Sequence, residues 1–205
     1  MKVESFDVLI IGAGAAGMFA AAEAGKRGRS VLIVDHAEKP GEKIRISGGG
    51  RCNFTNVHAS AKQFLSQNPH FCISALKRFT ARDFIKRVDA RGIAYHEKTL
   101  GQLFCDGSAQ QIIDMLTDDM AAAGVELRLE TQVFDIAKTD SGFQVRLSSG
   151  PVECHSLVIA TGGKSIPKMG ATSFGYRVAE QFGLAVAETR PALVPLTFEP
   201  HMLDR

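Results

Sequence analysis

The sequence predicts an α/β chain built on a parallel sheet with flanking helices and a small antiparallel β-meander. Three observations carry that expectation. A strand-like run, Asp7-Val8-Leu9-Ile10-Ile11, breaks into Gly12-Ala13-Gly14-Ala15-Ala16-Gly17, and an alanine-rich stretch follows directly. A second apolar run, Val31-Leu32-Ile33-Val34, ends in Asp35, about 20 residues past the glycines. A third, Leu157-Val158-Ile159-Ala160, is continuously apolar, as a strand buried on both faces should be, and ends in Thr161-Gly162-Gly163.

The first unit therefore reads as strand, tight turn, helix, strand. Gly12 lets the chain turn sharply, Gly14 lets phosphates approach the backbone, and Gly17 lets the helix pack close to the strand. Ala15 and Ala16 complete a turn whose N–H groups lie at the positive end of a helix, where a pyrophosphate sits well. The helix runs from Ala15 to about Lys26 and closes at Arg27-Gly28. Asp35, with His36 beside it, can accept hydrogen bonds from both hydroxyls of an adenosine ribose and would repel a 2′-phosphate. The plainer alternative is a βαβ unit with a solvated aspartate.

Residues 36–57 lack a periodic pattern and hold a second glycine cluster, Ser47-Gly48-Gly49-Gly50-Arg51-Cys52-Asn53. A long structureless loop in a compact domain is usually functional. Helical patterns follow at 60–67, 71–78 and 81–90, the last with Thr80 as N-cap and Gly92 as its stop. Residues 93–96 form a short strand, and 108–123 a helix with Ile112, Ile113, Leu116 and Met120 on one face. Val125 to Leu129 is the third parallel strand. From Gln132 to Cys154 apolar and polar residues alternate between turn signals, which predicts three short antiparallel strands layered on the parallel sheet. A helix over 174–182 closes the pattern. The doubly wound rule then gives strand order 3-2-1-4, a Rossmann-like arrangement.

Composition narrows the function classes. The chain has 205 residues, 45% hydrophobic and 22% charged, enough for one folded domain and the start of another. A net charge of +2 and a pI near 8.4 demand neither a nucleic-acid nor a membrane partner, so a small-molecule substrate is expected. The basic stretch Lys77, Arg78, Arg82, Lys86, Arg87 and Arg91 is interrupted by acids and reads as the solvated side of a helix. Cys52, Cys72, Cys105 and Cys154 form no C-x-x-C pair, which argues against a metal cluster or redox dithiol and fits a reducing cytoplasm. Cys52 reads as a small packing residue. His58, His70, His96 and His155 show no metal-ligand spacing. The stretch from Val8 to Ala22 follows Glu4 and Asp7 and is too short and glycine-rich to cross a bilayer.

After Asp35 the chain abandons the helix–strand alternation of a simple nicotinamide enzyme. It offers instead a glycine loop, an insertion, a meander and a second strand–glycine turn. An extended flavin dinucleotide needs more than one close backbone approach, because its pyrophosphate and its ring lie far apart. FAD is favoured over NAD on that layout, with NAD(P)H as a candidate electron donor. Lys43, Arg45 and Arg51, three cations in one loop, repel one another unless an anion lies near, such as the cofactor's phosphates; the plain alternative is a solvated basic loop. Lys164 and Lys168 either attract an anion or are simply solvated.

These blocks also carry a resemblance. Gly12 to Gly17, Lys43-Ile44-Arg45-Ile46-Ser47-Gly48-Gly49-Gly50-Arg51-Cys52-Asn53-Phe54-Thr55-Asn56, and Ala160 to Gly170 resemble the BaiN-type flavoproteins, also called aminoacetone-oxidase-like or NAD(P)/FAD-dependent oxidoreductases. The resemblance spans nearly the whole chain, through Arg190-Pro191-Ala192-Leu193-Val194-Pro195-Leu196. It implies that residues 1–190 are the first segment of an FAD domain, with a helical insertion at about 58–100, and that 191–205 begin a substrate domain. It implies that Lys43 to Asn53 line the flavin ring, and that Thr161, Gly162 and Gly163 approach the cofactor at the second turn. In similar flavoproteins backbone groups at the position of Val133 pair with adenine; core packing is the equal alternative. Where the family commonly has Gly-Arg-Val-Phe-Pro, this chain has Gly101-Gln102-Leu103-Phe104-Cys105, which puts an anion-binding arginine there in doubt. The reading that results is a flavin-dependent oxidoreductase moving hydride between a small organic substrate or NAD(P)H and FAD, with no residue nominated as catalytic. A noncatalytic dinucleotide-binding module, an NAD-dependent dehydrogenase and an inactive piece of a longer flavoprotein are the rivals.

Overall fold

Alternating apolar residues of β1 (Glu4–Ile11) place it between two packed layers, with Leu9 and Ile11 facing one side and Ile10 the other. The computed structural model describes residues 3–164 and 172–190. The chain continues through α1 (Ala15–Gly25), β2 (Val31–Val34), α2 (Glu42–Ile46), β3 (Asn53–Asn56), α3 (Ile73–Arg78), α4 (Ala81–Ala90), β4 (Tyr95–Glu97) and β5 (Gln102–Cys105). It then forms α5 (Gln110–Ala122), β6 (Glu126–Arg128), β7 (Val133–Thr139), β8 (Gly142–Leu147), β9 (Gly150–Ile159) and α6 (Phe174–Gln181).

Six strands form one sheet in the order β6-β2-β1-β9-β8-β7. Its first four strands stand in the 3-2-1-4 order that the doubly wound rule gives, and the fold is Rossmann-like α/β. On one face Ile10, Val31 and Ile33 meet Met18 and Ala21 of α1 and Ile113 and Leu116 of α5. On the other, Leu9, Leu32 and Val34 pack with Ile136, Val145, Val152 and Val178 of α6. Leu9, Ile10, Leu32 and Ile33 are fully buried, and each such side chain contributes about 1.5–3 kcal/mol of burial free energy. That rigid centre is what holds the glycine turns at its strand ends.

The structure corrects the sequence reading in four places. The meander does not lie on top of the parallel sheet but extends it edgewise. Its third strand and the Leu157–Ile159 run are one strand, β9, paired antiparallel with β8 (Val152 opposite Val145) and parallel with β1 (Ile159 opposite Ile11), and Leu157 to Ala160 are half-buried rather than enclosed on both faces. His155 and Ser156, between the two predicted strands, are exposed, and the pairing with β1 keeps its register across them, Phe6 opposite Cys154 and Val8 opposite Ser156. Residues 36–57 are not structureless, since they contain α2, a 3₁₀ turn at Ser47–Gly50 and β3. The helix expected at 60–67 is only a 3₁₀ turn, Ala61–Gln63, closed by Ser60 and Gln63.

The insertion is mixed rather than purely helical. Its α4 begins at the predicted Thr80 cap, where Thr80 accepts from the Asp83 N–H and Asp83 reaches back to the Thr80 N–H. A separate antiparallel sheet, β3-β5-β4, packs Phe54 edge-on against Tyr95, centroids 5.4 Å apart. The expectations for Lys168 and for 191–205 fall outside the described residues.

Candidate functional site

The first turn is built by steric exclusion. A Cβ on Gly12 would lie 2.5 Å from the Ala160 carbonyl oxygen, and Gly12 sits at φ +111°. A Cβ on Gly17 would overlap the Gly12 carbonyl. Gly14 differs: its Cβ would meet nothing within 4 Å. The first and third glycines thus make the β1–α1 junction and the second faces open space. That space is a cleft of about 650 Å³ lined by Gly12, Gly14, Ala15 and Ala16, by Asp35 and His36, by Lys43, and by Thr161 and Gly162. Gly17 is not among its lining residues, and Ala15 and Ala16, which open α1, are.

Asp35 is fixed before any ligand arrives. The Ala13 N–H donates to its Oδ2 (2.6 Å), the Ala37 N–H to its Oδ1 (3.0 Å), and His36 Nδ1 lies 3.2 Å from Oδ1. The carboxylate therefore braces the glycine turn, stays 16% exposed in the wall of the cleft, and keeps acceptor capacity on both oxygens. A second cleft of about 260 Å³ continues past Asp35, sharing Gly12, Asp35, His36 and Thr161 with the first and reaching Val133 and Arg177.

The second turn closes on the first. Ala160 N–H donates to the Ile11 carbonyl, so the end of β9 touches the end of β1. The Thr161 hydroxyl, at the junction of the two clefts, is buried and has no hydrogen-bond partner in the structure. Lys43 reaches across from α2 to the Gly163 carbonyl (3.4 Å) and joins the loop to this turn.

The other predicted residues divide between an adjoining groove, which shares Ala15, Ala16 and Lys43 with the first cleft, and positions outside it. The Arg45 guanidinium is tied to Gln110 of α5 and to the Pro40 carbonyl (3.2 Å), away from both clefts. Ser47, Cys52 and Asn53 line an apolar groove of about 590 Å³ with Phe19, Phe54 and Phe84. Gly48, Gly49 and Arg51 line a recess on another side of the loop, and the Gly50 carbonyl accepts from the Ala109 N–H (2.7 Å). The sequence reading missed Gly41, Tyr176 and Arg177. Gly41 sits at φ +72° against Ile113 and hands its N–H to the Ala13 carbonyl; its position after Pro40 was the available signal. Tyr176 and Arg177 stand in the first turn of the helix after the second glycine turn.

Sequence spacing left Cys52 without a neighbouring cysteine, yet the fold supplies one. The Cys105 N–H donates to the Arg51 carbonyl (2.9 Å), and burial, with Cys52 beside it, pushes the Cys105 thiol up to about 11. Burial also raises Cys52, against a partly offsetting hydrogen bond from Ser47, and raises Cys154. All four cysteines are free, and only Cys72 is not buried. Alkylation with iodoacetamide at about pH 8 should therefore modify Cys72 well before the others, because the thiolate is the nucleophile. Peptide mass mapping over time checks this, and early modification of Cys105 would contradict it.

The profile of the HI0933-like protein Rossmann domain matches residues 6–192. The chain belongs to the HI0933-like family. It is 57% identical to the ribosomal RNA dihydrouridine synthase of Escherichia coli (strain K12) over 202 residues, 98% of this chain and 50% of that protein. It is 27% identical to the 3-dehydro-bile acid delta(4,6)-reductase of Clostridium scindens, over 94% of this chain and 47% of that protein. The chain thus spans about half the length of these curated relatives. The narrower BaiN-type branch suggested by the motifs is not what the comparisons single out. Among solved structures, the open conformation of a flavocytochrome c3 fumarate reductase shares the fold, with a TM-score of 0.60 at 23% identity over 87% of this chain and 40% of that one. No helix among the described residues is long and apolar enough to cross a membrane.

Proposed function

We propose that this HI0933-like chain is the FAD-binding segment of a flavin-dependent oxidoreductase whose substrate is uridine in ribosomal RNA. The observation that carries the cofactor assignment is the junction of two glycine turns on one continuous cleft, with Gly14 open to it. The residues fit an adenine dinucleotide. The N–H groups of Ala15 and Ala16 at the α1 N-terminus would hold the pyrophosphate. Asp35 would take the ribose, with His36 and Val133 at the adenine end. The unpartnered Thr161 hydroxyl and the Gly162 backbone would meet the cofactor at the second turn. When bound, the flavin supplies reversible hydride uptake and release. On this reading residues 1–190 form the first segment of the FAD domain, and 191–205 lead into the substrate side.

The substrate class rests on the 57% identical relative and its name. Reduction of uridine to dihydrouridine saturates one C–C double bond with a hydride and a proton, and NAD(P)H is the donor class that balances it. On this reading the protein works in the cytoplasm, with ribosomal RNA as its substrate in place of the small molecule expected from the sequence.

The test uses the full-length protein. Its visible spectrum should show bound flavin, bleached anaerobically by NADPH or NADH. Incubation with ribosomal RNA lacking the modification should then add two hydrogens to one uridine, read by nucleoside mass spectrometry. A colourless protein would refute the cofactor assignment. Flavin reduction without change to the RNA would refute the substrate.

A further inference from the structure

The loop that begins at the cofactor cleft with Lys43 ends at a different recess, of about 380 Å³, lined by Gly48, Gly49, Arg51, His96, Lys98 and Phe104. That size falls within the range of small-ligand sites, ~300–1,000 Å³. The geometry points to a nucleotide-binding site for the RNA strand, its phosphate held by Arg51 and Lys98 and a base laid on His96. The inference rests on the RNA reading above and assigns where a nucleotide flanking the target uridine is gripped.

Strand periodicity builds the recess. His96 of β4 lies directly opposite Phe104 of β5, and Lys98, two residues on, shares its face. The Lys98 N–H donates to the Gln102 carbonyl (2.8 Å), which carries the ladder one residue past β4. The His96 and Phe104 rings are stacked within 17° of parallel, centroids 6.2 Å apart. Phe104 is buried, whereas the His96 side chain is 43% exposed, so a ring braced from below presents an open face. The Lys98 ammonium sits 5.3 Å over the Phe104 ring, which fixes its place by cation–π attraction. Gly48, at φ +60°, lies so close that a Cβ would come 2.6 Å from Phe104, so the glycine loop packs directly on the same ring.

Charge favours an anion. Asp106 lies 2.6 Å from His96 Nδ1 outside the lining, and Arg51 and Lys98 are the charged side chains that line the recess. A flat exposed ring beside two cations is the combination that single-stranded nucleic acid needs, since bases stack on rings and phosphates pair with cations. The chain's mild net charge hides this, because it averages the cluster away.

The experiment measures fluorescence anisotropy of a short fluorescein-labelled, uridine-containing single-stranded RNA with the full-length protein. Lys98→Gln and His96→Ala are compared with wild type at several salt concentrations, and each variant's flavin absorbance and melting temperature are recorded. Both side chains are exposed, so the variants should fold and keep their flavin. Affinity should fall roughly tenfold in His96→Ala, as for loss of one stacked base. In Lys98→Gln the slope of log affinity against log salt should shrink by about 0.7, as for one phosphate contact on a single strand. Wild-type RNA binding in both variants would overturn the inference and leave the RNA reading standing. Absence of RNA binding in the wild type would overturn both, while retained flavin would still support the cofactor assignment.

Discussion

Gly14→Val should give a folded, colourless protein. The Gly14 Cβ position meets nothing within 4 Å, and its backbone, at φ −84° and ψ −173°, is extended, so valine fits without strain. The stability cost is confined to a poorer N-cap, no more than about 1 kcal/mol. The isopropyl group would stand in the cleft, over the N–H groups of Ala15 and Ala16 that should receive the pyrophosphate. Loss of close backbone approach removes several charge-assisted hydrogen bonds, each worth about 1.5–3 kcal/mol. Flavin affinity should therefore fall at least a hundredfold, which corresponds to about 2.7 kcal/mol. Absorbance of the purified variant and titration with FAD, beside a thermal melt, check this. Stoichiometric flavin in a variant that melts like wild type would show that the pyrophosphate lies elsewhere.

The parts of this architecture that depend on local chemistry were legible in the sequence. Gly12, Gly14 and Gly17 have the spacing their steric roles require, and Asp35 ends its strand where the clefts meet. Thr80 announced its helix, because a capping residue and its Asp83 partner lie three residues apart. What the sequence concealed depends on long-range pairing. Nothing local marks His155 and Ser156 as mid-strand, because the strand that holds their segment in register is β1, about 150 residues earlier in the chain. The Arg45 guanidinium could not be assigned to Gln110 without knowing that α2 packs on α5. Cys52 and Cys105 become neighbours only through the β3–β5 pairing. The stack of His96 on Phe104 likewise needs the β4–β5 register, whereas spacing along the chain spoke only to metal ligation.

Gly17→Ala should have the opposite consequence to the change at Gly14, destroying the fold's junction rather than its ligand. Alanine ordinarily strengthens a helix by up to about 1 kcal/mol relative to glycine. Here its methyl group would overlap the Gly12 carbonyl and lie 3.3 Å from the Ala160 Cβ. The first obstacle is backbone, so no rotamer change relieves it; α1 must lift from β1. Gly12 has little room to yield, because its N–H is bonded to the Val34 carbonyl (2.8 Å) and its open side has no space for even a Cβ before the Ala160 carbonyl. The displacement would therefore pass to the second turn and loosen the packing of Met18 and Ala21 beneath the sheet. Overpacking against a rigid neighbour costs about 3 kcal/mol or more. For a chain of this length that lowers the melting temperature by roughly 6–12 °C. Gly14→Ala, three residues earlier and open to the cleft, supplies the control that should melt within about 3 °C of wild type. A Gly17→Ala protein as stable as that control would mean that helix and strand do not meet through bare backbone, and the cleft's shape would lose its steric foundation.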